Sequence, residues 1–226
     1  MSTAAVAVLA SGSGSTAEAL IRDLQTQDYP YEVRLVITNN PDAFVLQRIA
    51  NLNEEFGLDI RTAVISSSTQ PSAAAAVHGE QTSEEQEALL ALLKENHIDL
   101  VVLLGYMKHI GKRLTDAYGW QTNFTSVYQA RMLNTHPGLL PETKGLYGIH
   151  VQEAVVERHL PEAGQTLHVV AEAYDEGPVV TEHRIKVSPD ETPEELFARV
   201  QLTEKAHIAA DIAEFLDAQT KFEEEK

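Results

Sequence analysis

Residues Ala5 to Ala10 form an apolar run that ends abruptly in Ser11-Gly12-Ser13-Gly14-Ser15-Thr16, and a helical pattern through Ala19, Leu20, Ile21 and Leu24 follows. Strand, glycine turn, helix is the opening unit of a nucleotide-binding α/β fold, and few other architectures accommodate it. Glycines let the backbone approach a phosphate. The unpaired N–H groups of the helix's first turn then supply donors and partial positive charge. Gly12 to Ala17 satisfies the dinucleotide pattern G-x-G-x-x-A, a weak signal when it stands alone. The second strand, Glu32 to Thr38, ends in Asn39-Asn40, where a dinucleotide site wants an acidic residue for the ribose. The loop Gly12, Ser13, Gly14, Ser15 and Thr16 therefore reads as a monophosphate cradle. A tight turn without a ligand is the alternative.

The rest of the chain extends this unit. Asn40, with Pro41 after it, is expected to cap a helix running to about Phe56. Leu58 to Ser66 reads as a short strand, and Ser67 to Gln81 as a surface loop. Thr82 or Ser83 starts a helix in capping-box fashion, with Leu89, Leu90, Leu92 and Leu93 as its apolar face. Asp99 to Gly105 is uninterrupted and apolar, as a parallel strand buried on both faces would be. Ile149 to His159 reads as a helix with Val151, Ala154 and Val155 inward. Thr166 to Ala173 alternates as a strand and is expected to pair antiparallel with Val179–Val187. A helix capped at Thr192-Pro193 is expected to reach about Ala218, whole or broken once, with a frayed tail from Lys221. The expectation is one α/β domain over 1–226. Its mostly parallel, Rossmann-like sheet is flanked by helices and carries an antiparallel C-terminal hairpin. About 1–105 form a nucleotide half and about 106–220 a catalytic half.

Composition narrows the function. With 226 residues, 43% of them apolar, the chain can bury a full core. It has no apolar stretch of about 18 residues, which argues against a membrane span, and its N-terminus reads as a first strand rather than a leader. The absence of cysteine rules out disulfides and thiolate chemistry and fits a cytoplasmic enzyme. None of its nine histidines has a clear zinc spacing, so no metal is expected. A formal charge of −17 opposes binding to a nucleic-acid backbone. Any anionic substrate must be held by local N–H groups and a few cations.

The chemistry concentrates in Ala130 to Pro141, Ala-Arg-Met-Leu-Asn-Thr-His-Pro-Gly-Leu-Leu-Pro. Arg131 to Leu133 read as the end of a buried strand, while Pro137, Gly138 and Pro141 stop any regular element. Asn134 and His136 then stand at the carboxyl edge of the sheet, where ligands bind. A carboxamide donor and a titratable ring suit acyl transfer: one steadies an oxyanion, the other moves a proton.

This stretch resembles the glycinamide ribonucleotide formyltransferase family, whose members carry Asn-x-His-Pro-x-Leu-Leu-Pro and, some way on, an Asp before Gly-Pro. Here these are Asn134, His136 and Asp175-Glu176-Gly177-Pro178. The resemblance implies transfer of a formyl group from 10-formyltetrahydrofolate to the amine of 5'-phosphoribosylglycinamide, with Asn134, His136 and Asp175 catalytic and the glycine loop on the substrate phosphate. It implies small-molecule substrates and leaves monomer or homodimer open. It also places the folate beside Tyr106, Met107, Lys108 and His109, and the ribonucleotide beside Gln201 and Glu204. His168 and His150 are implied in support. Thr16 stands where Asn is usual, Lys108 where Arg is usual, and the segment around Tyr118 to Tyr128, with the single Trp120, is longer than in compact members. On residues alone, Tyr106 and Met107 fit a core cap equally well, and Gln201 and Glu204 an exposed helix face. A formyltetrahydrofolate hydrolase, another folate-dependent formyltransferase and a non-catalytic nucleotide-binding module are the rival readings.

Overall fold

A computed structural model describes residues 3–73 and 77–225. Its centre is a seven-stranded sheet in the order β3-β2-β1-β4-β5-β6-β7. Strands β1 (Ala4–Leu9), β2 (Tyr31–Thr38), β3 (Arg61–Val64), β4 (Leu100–Leu103) and β5 (Met132–His136) pair in parallel. β6 (Glu162–Val169) runs antiparallel to both β5 and β7 (Val179–Lys186). Alternate residues of β1 enter different cores. Val6 and Val8 pack towards α1 (Ser15–Asp23), α2 (Val45–Phe56) and α6 (Pro193–Glu224), and Ala5, Ala7 and Leu9 towards α3 (Ser83–Glu95) and α4 (Lys112–Tyr118). This two-sided burial explains why the first and fourth strands read as continuous apolar runs.

The chain steps outward from β1 to β3 and returns to add β4 on the other side of β1. That reversal opens a crevice between the loops that leave β1 and β4. The two loops are bonded: Ser11 N donates to the Gly105 carbonyl at 3.0 Å, and Met107 N to Ser11 Oγ at 2.7 Å. The site is assembled along this edge.

Several boundaries differ from expectation, each for a local reason. α2 begins at Val45, not at Pro41, because Asn40 Oδ1 takes the Asp42 N–H at 3.0 Å and makes a turn. The Val45 N–H, an unpaired first-turn donor, then bonds the Gly12 carbonyl at 3.2 Å. β3 starts at Arg61, since the Ile60 N–H is taken by Asn53 Oδ1 at 3.1 Å. Ser67 to Gln81 is loop where described; 74–76 lie outside the described residues. α3 begins at Ser83, with Thr82 and Glu85 forming the expected reciprocal cap. α5 (Ile149–Glu157) turns Gln152 inward and leaves Ala154 half-exposed. β6 starts four residues early and ends at Val169. Its start pairs with β7 alone and packs on α6, and Gly164 lies so close to the His183 carbonyl that a Cβ would sit 2.1 Å from it.

The last helix runs unbroken through Glu224. Its final turns are held by the long segment before β5. The Tyr128 ring lies 5.5 Å from Phe215, and Gln219 Nε2 donates to the carbonyls of Tyr128 (2.9 Å) and Ala130 (3.2 Å). Trp120 meets Phe124 edge-on and both pack on the first core, so this segment docks α6. No helix among the described residues is long and apolar enough to cross a membrane.

Candidate functional site

Asn134 and His136 alternate with Thr135 on β5, so the amide and the imidazole share one sheet face and Thr135 points to the other. Opposite them on β6 stand His168, paired with Asn134, and Thr166, paired with His136. Asp175 comes from the loop between β6 and β7. Its backbone is left-handed at φ 53, and Gly177 beside it packs so tightly on the Val169 carbonyl that a Cβ would sit 1.6 Å away. That loop folds back and brings the Asp175 carboxylate 3.7 Å from His136 Nδ1 and 3.6 Å from His168 Nε2. Four groups from three elements thus meet, and the imidazoles are 3% and 2% exposed.

The hydrogen bonds define how each ring is protonated. Thr143 Oγ1 donates to the Leu139 carbonyl at 2.8 Å, so at 2.9 Å from His136 Nε2 it accepts. Neutral His136 therefore carries its proton on Nε2 and presents the Nδ1 lone pair to Asp175. His168 Nδ1 faces the Val169 carbonyl at 3.0 Å and must donate, which leaves Nε2 to accept from Asn134 Nδ2 at 3.0 Å. That bond fixes the amide orientation and leaves the second Nδ2 hydrogen for another acceptor. Burial lowers the pKa of both imidazoles; Asp175 opposes the shift on each, and His168 adds to that on His136. The resting rings are neutral, and a proton arriving at His136 Nδ1 would face the carboxylate. Asp175 Oδ2 also accepts the Gly145 N–H at 2.9 Å, and Lys144 pairs with Glu176.

The glycine loop sits at the neighbouring edge. Gly14 caps α1 in the left-handed region (φ 68), and a Cβ there would lie 2.3 Å from Val45 Cγ2, so glycine is required. Ser11 Oγ bonds Asn39 Oδ1, and Arg48 Nε donates to the Ser13 carbonyl at 2.8 Å while its guanidinium covers the Phe44 ring. A cation therefore stands against the loop, itself paired with Glu18 of α1. Thr16, at the second position of α1, hydrogen-bonds Glu204, whose Oε1 also accepts from Thr135 Oγ1 at 2.7 Å. Burial raises the Glu204 pKa, against the two threonine hydroxyls and Lys205. Gln201 lies one turn earlier on α6, half-buried.

The remaining candidates divide. Tyr106 is half-buried, its hydroxyl accepts from Gln81 Nε2 at 3.2 Å, and burial pushes its pKa up to about 12. Met107 is 55% exposed at the cleft edge. The Lys108 ammonium lies 2.5 and 2.8 Å from the two oxygens of Glu85, a carboxylate only 1% exposed, so that side chain is engaged internally. The His109 ring is held by Glu80 and the Glu172 carbonyl. His150 bonds Glu153 at 2.7 Å and packs edge-on to Tyr147; it does not join the group around Asp175. Thr143 and Arg48 belong to the site without having stood out in sequence. A threonine and an arginine in loop and helix carry no pattern that separates them from surface residues.

A family profile described as formyl transferase matches residues 4–212. The chain belongs to the formyl transferase family. This formyl transferase is 30% identical over 219 residues to the Escherichia coli phosphoribosylglycinamide formyltransferase, covering 97% of this chain and 90% of that one. The Bacillus subtilis phosphoribosylglycinamide formyltransferase is 27% identical, with 93% of each chain covered. Among solved structures, that of phosphoribosylglycinamide formyltransferase from Bacillus Halodurans superposes with a TM-score of 0.75 at 32% identity, covering 94% of this chain and 95% of that one.

Proposed function

We propose that this formyl transferase moves the formyl group of 10-formyltetrahydrofolate to the primary amine of 5'-phosphoribosylglycinamide, as a cytoplasmic enzyme of purine synthesis. The observation that carries the reading is the meeting of Asn134, His136, His168 and Asp175 in one pocket beside a glycine loop. The loop 12–16 and the first turn of α1 hold the substrate phosphate, with Arg48 offsetting the chain's negative field. Gln201 and Glu204 line the ribonucleotide side. The exposed faces of Met107 and Tyr174, beside Tyr106 and Asp175, suit a flat pterin ring. Lys108 and His109 contribute backbone there, since their side chains are already engaged. Residues up to about 105 serve the ribonucleotide and those from about 106 to 220 the folate and the chemistry.

In this mechanism Asn134, aimed by His168, donates its free N–H to the oxyanion that forms when the amine attacks the formyl carbon. Such a donor is worth about 3–4 kcal/mol. His136 takes up the attacking amine's proton at Nδ1, so positive charge stands beside that oxygen until the proton moves on. Asp175 stabilises the charged ring and, through a bridging water, relays the amine's proton towards the departing folate nitrogen. The test is a turnover assay with both substrates, monitoring release of tetrahydrofolate. Formyl transfer dependent on the ribonucleotide is expected. Formate release without the ribonucleotide, or ligand binding with no turnover, would overturn the assignment.

A further inference from the structure

We propose that His109 is a positioning residue: its ring straps the Asp175 loop to the wall of the cleft. The inference deepens the function proposed above and rests on Asp175 being the proton-relaying carboxylate. His109 Nε2 lies 2.8 Å from the Glu172 carbonyl, and Nδ1 lies 3.1 Å from Glu80 Oε2. The ring therefore has a partner at each nitrogen, one on the loop and one on the wall.

The ring also packs against Tyr174, the residue immediately before Asp175, tilted at 38° with centroids 4.4 Å apart. The other end of the strap is firm. His109 N donates to the Gly79 carbonyl at 2.7 Å, and His109 forms a parallel bridge with Glu80. One side chain thus joins the wall at 79–80 to residues 172 and 174 of the loop. Asp175 needs such support. A non-glycine residue at φ 53 persists only where its surroundings over-determine it. Partial burial, with the carboxylates of Glu80 and Asp175, raises the Tyr174 pKa, so the phenol adds no charge near neutrality.

The test combines amide hydrogen exchange across residues 172–176 of the whole chain with steady-state kinetics. His109→Phe, which keeps a ring against Tyr174, should speed exchange there about tenfold and lower kcat about tenfold through misplacement of Asp175. The ribonucleotide KM should stay within about twofold. His109→Gln, which retains a donor towards Glu172, should recover part of both losses. Unchanged exchange across 172–176, or unchanged kcat, in His109→Phe would overturn the strap. An inactive wild-type enzyme would instead refute the formyl-transfer reading, and the exchange rates would still decide the strap.

Discussion

Replacing Thr143 with valine tests how the His136 imidazole is held. Thr143 is 1% exposed, and its hydroxyl has two partners: it gives its proton to the Leu139 carbonyl and receives the His136 Nε2–H. Valine keeps the shape and removes both. The Leu139 carbonyl still accepts the Thr143 N–H at 3.2 Å, so one buried donor loses its partner and the fold should lose about 1–3 kcal/mol. The neutral ring should move its proton to Nδ1, where Asp175 stands 3.7 Å away. That removes the lone pair assigned to proton uptake, and kcat should fall about 100-fold, within the range for a lost general base. Denaturant unfolding measures the first effect, ¹⁵N spectra of His136 the second and turnover the third. Thr143→Ser should restore all three. A valine variant as stable as wild type, with His136 still protonated on Nε2, would refute this account of the ring.

Asn134→Ala should lower kcat by about 10²–10³ with little change in ribonucleotide KM, measured by initial rates, because the donor acts on the transition state. Asp175→Asn should lower turnover by orders of magnitude while circular dichroism stays native; near-wild-type activity would remove Asp175 from the mechanism. Gly14→Ala forces a Cβ onto Val45 at φ 68 and should cost about 2–4 kcal/mol in denaturant unfolding. Gly12→Ala has open space, should fold normally, and should raise the ribonucleotide KM roughly tenfold by crowding the phosphate. Stability should decline with acid. His136 and His168 have pKa values lowered below 6.5, so between 6.5 and those values the unfolded chain binds more protons than the folded one. Their contribution is therefore full above pH 6.5 and fades as pH falls, by up to about 1.4 kcal/mol per pH unit for each ring, measurable as a falling urea midpoint.

Much of this was legible because the decisive patterns are local. An apolar run broken by Gly12 and Gly14, and an Asn-x-His-Pro edge, each report on a few successive residues, and the strands buried on both faces could hardly be misread. The reversal of sheet order that opens the crevice followed from that class of fold. What escaped the sequence depends on partners distant in the chain. The start of β6 is polar yet buried, since Gln165 meets Asp211 of α6 and Thr166 donates to the Gly138 carbonyl. The length of α6 depends on Tyr128, far upstream. Lys108 looked available until Glu85 was placed against it. Thr143 acquires its role only once the loop after β5 folds back under His136.

The 32-residue last helix is about 48 Å long and behaves as a single beam. Near its middle Glu204 grips Thr135, between Asn134 and His136; four turns on, Gln219 grips the backbone just before that same strand begins. Any change that bends or unwinds this beam, even at a surface position remote from the pocket, will therefore shift where Asn134 and His136 stand relative to the formyl carbon, and will register as lost turnover before it registers as lost fold.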